Sequence, residues 1–182
     1  IQTYISFLAG STGSVTSSTF TLSVLRLNSN GVTVSGNTYP SAFYFRVDSG
    51  MTLRTLTVVD GIGKYILNSF LSVPVGQTLG LAPGVTLDLG YNTLTVVAKT
   101  TTQPGGVLVA NGATITGTSS GGSAHGTITV NDGATFTMAG GQLPSGYVDI
   151  NCNSGAVCSL SGVNPIQTYI SFLAGSTGSV TS

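Results

Sequence analysis

The chain has 182 residues, 26 of them Gly, with five basic and five acidic side chains and a formal net charge of zero. Charge this sparse excludes a phosphate-neutralising nucleic-acid interface and attraction to an anionic membrane surface, both of which need clustered Lys and Arg. A hydrophobic content of 41% excludes a disordered chain, and the length suggests a single domain.

Good helix formers are scarce and no Glu occurs, whereas Thr, Val, Ile, Tyr and Phe are plentiful between Gly, Asn-Gly and Asp-Gly. The fold class expected is all-β. No apolar run reaches the roughly 18 residues of a membrane-spanning helix. The first ten residues lack the basic start of a signal peptide, and an initial Ile rather than Met is compatible with a removed leader. Three segments are expected: a strand and linker over 1–17, a single β domain over 18–165, and a second copy of the first segment over 166–182.

In chain order, residues 1–8 predict an extended strand. Ile1, Thr3, Ile5 and Phe7 fall on one side, and Gln2, Tyr4, Ser6 and Leu8 on the other. The following Ala-Gly-Ser-Thr-Gly-Ser reads as a flexible connector. A short motif then recurs, aligned on Gly31, Gly50, Gly84, Gly112, Gly133 and Gly155: an alternating strand, a polar turn ending in Gly, and a second strand. The glycines are separated by 19, 34, 28, 21 and 22 residues, and 51–76 fit poorly. Self-similarity near twenty residues is a solenoid signature. Asn111-Gly112 and Asp132-Gly133 are equally hairpin signals, which point to an antiparallel β-sandwich completed by a donor strand as the alternative.

The run Gly126-Thr-Ile-Thr-Val-Asn-Asp-Gly-Ala-Thr-Phe-Thr-Met-Ala-Gly-Gly141 carries the motif in its fullest form. Residues 77–162 resemble the β-helix repeats of autotransporter passengers and filamentous adhesins. The resemblance favours a β-solenoid built of β-arches, parallel-β-helix-like, and an extracellular or cell-surface setting.

Residue types for catalysis are few. His125 is the single histidine, in a glycine-rich stretch where Ser123 precedes it by two, and the bland reading is an exposed loop histidine. The five Asp residues (48, 60, 88, 132, 149) are scattered, without the paired carboxylates of glycoside hydrolysis or the oxygen-rich cluster of a calcium site. No enzymatic activity, cofactor or metal is expected. Cys152 and Cys158 flank a short polar turn, and a disulfide between them is expected, with buried thiols as the alternative.

The chain then repeats itself. Residues 1–17 and 166–182 both read IQTYISFLAGSTGSVTS, seventeen identities at an offset of 165. Three readings follow: one period of a longer tandem-repeat polypeptide, a subunit carrying its neighbour's strand, or a recent duplication without assembly meaning. An apolar strand on a polar connector resembles the donor strands of polymeric pili, where one subunit's extension completes a neighbour's sheet. The resemblance implies assembly residues Ile1, Thr3, Ile5 and Phe7, with Ile166, Thr168, Ile170 and Phe172 in the second copy. Pro165 suits the junction, since it donates no ladder hydrogen bond. The function expected is a structural subunit of an extracellular homopolymeric filament, pilus or sheath whose partners are copies of itself. The alternative is one repeat of a long cell-surface adhesin that contacts a carbohydrate or a surface.

Overall fold

The computed structural model describes residues 5–118, 125–144 and 147–181, which form nineteen β-strands and no helix. The strands coil into a three-sided β-solenoid of about eight turns. On the first side lie β1 (Ile5–Phe7), β3 (Val24–Leu27), β5 (Tyr44–Val47), β7 (Lys64–Leu67), β10 (Thr86–Asp88) and β13 (Thr114–Thr116). Isolated bridges from Thr114 to Gln142 and from Leu143 to Ile166 carry this side through the last two turns. The second side stacks β8 (Leu71–Val73), β11 (Thr93–Val96), β14 (Gly126–Val130), β16 (Val148–Cys152) and β18 (Tyr169–Phe172). The third stacks β6 (Thr55–Leu56), β9 (Thr78–Leu81), β12 (Val107–Ala110), β15 (Thr135–Ala139), β17 (Val157–Ser161) and β19 (Thr177–Thr181). In the first two turns, β2 (Thr12–Thr16) and β4 (Gly31–Ser35) follow β1 and β3 as a separate pair.

All strand pairings among the described residues are parallel, the one antiparallel contact being an isolated bridge between Val59 and Ile62. The sandwich alternative is thereby set aside. Asn111-Gly112 and Asp132-Gly133 turn corners between two sides of the solenoid instead of closing hairpins. Only the glycine of each pair has positive φ, 66° in both, whereas a type I′ hairpin turn needs two such residues.

Alternation along each strand builds the core, because every second side chain points into the coil. Register then stacks like upon like. Leu71, Leu94, Ile128, Ile150 and Ile170 form one inward column, and Val73, Val96, Val130, Cys152 and Phe172 form the next. The first turns are filled by aromatics: Phe20, Tyr39, Phe43, Phe45 and Tyr65 contact one another with ring centroids 4.3–5.5 Å apart. Corners are tied by polar side chains. Asn28 Nδ2 donates to buried Asp48 (2.6 Å), which also pairs with Arg26, and Asn153 Nδ2 donates to Asn131 (2.8 Å). The poor fit of 51–76 to the repeat traces to its first half. Residues 51–63 contribute only β6 and an irregular turn with positive φ at Asp60 and Gly61, whereas β7 and β8 are regular.

Candidate assembly interface

The two copies of the duplicated segment sit at opposite ends of the solenoid. At one end β1 pairs with β3 (Ile5 with Leu25, Phe7 with Leu27) and β2 pairs with β4 (Thr12 with Gly31). At the other, β18 pairs with β16 (Ile170 with Ile150, Phe172 with Cys152) and β19 with β17 (Thr177 with Val157, Val180 with Leu160). The second half of the expected connector, residues 12–14, therefore belongs to strand in both places, β2 and β19.

Locally the copies fold alike. The Ser11 N–H donates to Leu8 O (3.1 Å) and its hydroxyl to the same oxygen (2.7 Å); Ser176 makes both bonds to Leu173 O at 2.9 and 2.7 Å. The turn needs left-handed backbone before each serine, supplied by Gly10 (φ 78°) and Gly175 (φ 87°). Beyond the turn the inward-facing Phe ring lies over a glycine in the second strand. A Cβ on Gly13 would stand 3.1 Å from the Phe7 ring, and one on Gly178 would fall on the Phe172 ring. The segment thus encodes two sides of a solenoid turn, whichever end it occupies.

Its edges are complementary. Strands β1 and β2 pair only with the turn that follows them, and β18 and β19 only with the turn that precedes them. Ile5 and Phe172 belong to inward columns yet are 43% and 42% exposed, because no further turn among the described residues covers them; their neighbours Leu25 and Cys152 are fully buried. Of the residues expected at the interface, Ile5, Phe7, Ile170 and Phe172 lie in these columns. Ile166 bridges Leu143, and the Thr168 hydroxyl donates to Val148 O (2.6 Å). Ile1 and Thr3 lie outside the described residues. The segment carries no charged residue, so both ends are electrostatically bland. Cys152 and Cys158 form a disulfide, Cα–Cα 6.3 Å, which joins β16 to β17 directly beneath the C-terminal copy. The copies also differ in phase: Ile5–Phe7 belong to the first side, whereas the matching Ile170–Phe172 belong to the second, seven turns later.

Other polar groups gather elsewhere. His125 Nδ1 lies 3.3 Å from Asp149 Oδ1 and its ring meets Tyr147 edge-on at 5.8 Å; Ser123 is outside the described residues. Exposed Phe70, Tyr91 and Tyr147 follow the edge between the first and second sides. Where β4 and β6 fail to pair, a cavity of about 300 Å³ opens beside Arg54, whose guanidinium donates to the carbonyls of Ser29 and Leu27. At the corner after β4 the Asn37 and Gly36 N–H groups donate to the Asp60 carboxylate and hold its pKa below the usual carboxylate value. Burial raises the Tyr39 phenol to about 12 and pushes Tyr65 up as well. Among the described residues no three His, Cys, Asp or Glu side chains come together as a metal-binding group. Comparison with protein-family models, curated proteins and solved structures finds no match to the chain, so its function is read from its own geometry.

Proposed function

We propose that the chain is the structural unit of an extracellular homopolymer, a filament, pilus or sheath, whose units join head to tail by β-strand addition. The observation behind this is that residues 5–16 and their identical counterparts 170–181 fold into the same turn and leave opposite edges open among the described residues. Parallel strand addition supplies main-chain hydrogen bonds, and alternate side chains supply burial. Open edges on a β-rich protein otherwise invite uncontrolled pairing, so an edge that fits a specific copy of itself has a use. The disulfide suits an oxidising, extracellular setting. In the tandem-repeat adhesin reading the same joint is covalent, with the second copy opening the next unit.

Electron microscopy of the protein from its source, combined with the intact mass of the chain, tests the proposal. Filaments that dissociate into chains of a single unit support the homopolymer. A single giant polypeptide supports the adhesin, and a dispersed monomer with no filaments overturns the proposal.

A further inference from the structure

Resting on that reading, we infer that the edge of β16 and β17 is the docking site for residues 1–17 of a second copy, and that residues 166–182 cap it in cis. The register carries this. Ile150 pairs with Ile170, which is Ile5 in the first copy, and Ile5 pairs with Leu25. Both steps span twenty residues, the spacing of the turns from β1 through β7. A single copy of the segment placed between two units therefore meets both without slip. Cys152, Phe7 and Leu27 would stack in one column, and Leu160, Val15 and Val34 in another, as the two ends separately show. The incoming segment would also cover Ile150 and Cys158, which the cis copy covers now.

Each segment has one edge for its own body and one for a neighbour. While 166–182 remain in place, the docking edge is filled. The cap thus keeps the β16–β17 edge from receiving residues 1–17 of another copy until it is displaced.

The test uses the full chain. Ile170→Asp with Phe172→Asp places two carboxylates against the apolar Ile150 and Cys152 and releases the cap, because the apolar contacts that hold it are lost and charge faces an apolar edge. Ser14→Cys and Ser159→Cys, added together, report the joint: Ser159 Oγ now lies 3.3 Å from that of Ser179, the counterpart of Ser14. The chain with intact cap should run as a monomer. The released variant should form reducible covalent multimers through the introduced thiols, and adding Ile5→Asp and Phe7→Asp should return it to monomer. A peptide of residues 1–17 should bind the released variant at least about tenfold more tightly than the capped chain, as expected if the same apolar columns are being refilled.

If the released variant binds neither peptide nor its own kind while its far-UV dichroism stays β-rich, the inference is wrong. Peptide binding without multimers would keep the docking site and reject the homopolymer reading. Should the aspartates unfold the end, a locked cap decides: Ser159→Cys with Ser179→Cys, crosslinked in cis, must abolish peptide uptake and assembly. Multimers of that locked chain would overturn the cap.

Discussion

Gly13 and Gly178 show the cost of a side chain in the same local fold when the neighbouring turn follows it and when it precedes it. A Cβ at Gly13 meets only the Phe7 ring, but one at Gly178 also meets the carbonyl of Cys158 in the turn below. Gly13→Ala requires only the partly exposed Phe7 ring to give by a few tenths of an ångström, so it should destabilise the chain less than Gly178→Ala, where backbone stands in the way. Gly178→Ala should speed amide exchange over 169–181, and equal protection in the two variants would contradict the packing. Deeper in, Phe45 is fully buried between the rings of Phe43 and Tyr65. Phe45→Ala should cost about 3–5 kcal/mol in urea unfolding, the usual range for a large cavity. Two tyrosines set the alkaline limit. The unfolded chain releases a phenolic proton near 10.0, whereas folded Tyr39 holds its own to about 12 and Tyr65 is shifted in the same direction. Stability from these groups is therefore complete below 10.0 and is lost as pH rises through the folded values. Asp60 acts in reverse: its lowered pKa contributes stability that disappears as pH falls below its ordinary 3.8. Denaturation midpoints should fall above pH 10.0 and below pH 3.8; midpoints that stay level through both extremes would contradict these assignments.

At the level of strands and turns, the disulfide ties one corner of the last full turn. Thiol labelling of the denatured, unreduced protein should find no free cysteine, and reduction should expose two. Closing so short a loop stabilises by about 2 kcal/mol in the chain-entropy account. Reduction should accordingly loosen β16–β19 in amide exchange and leave β7–β15 protected. Much of this layer is legible from residue order. Alternation identifies the inward residues of β14 as Ile128 and Val130, and those are the buried ones. The glycine alignment, by contrast, merges three corners. Gly31 and Gly50 follow first-side strands, Gly84 and Gly112 lead back to the first side, and Gly133 and Gly155 lead from the second to the third. Intervals of 19, 28 and 22 residues are true turns, and 34 and 21 join unlike corners. Residue order alone does not distinguish them, whereas the backbone does: Gly84, Gly112, Gly133 and Gly155 are left-handed and Gly31 and Gly50 are not. The identity of the terminal segments is likewise plain in the sequence. The role of 12–16 as a strand is not, since Gly and Ser read as linker until a parallel neighbour supplies hydrogen bonds.

Across the whole molecule, strands spaced by about 4.8 Å give a unit of seven turns and one further side an axial rise of roughly 35 Å. Fibre diffraction or helical reconstruction of the proposed polymer should show both spacings, and a much longer axial step would contradict docking through a shared turn. Parallel strands throughout also make such a polymer polar, with one kind of end exposing β1 and β2 and the other β16 and β17. The difference of one side between β1 and β18 has a consequence for the joint itself. The second side of one unit would run on through a docked β1 into the first side of the next, while the third side would run on through β2 into β4, which lies beside β6 of the third side again. One corner is therefore redrawn at every joint, so the repeat along a fibre would be marked by a periodic change of cross-section and not by a smooth continuous ladder.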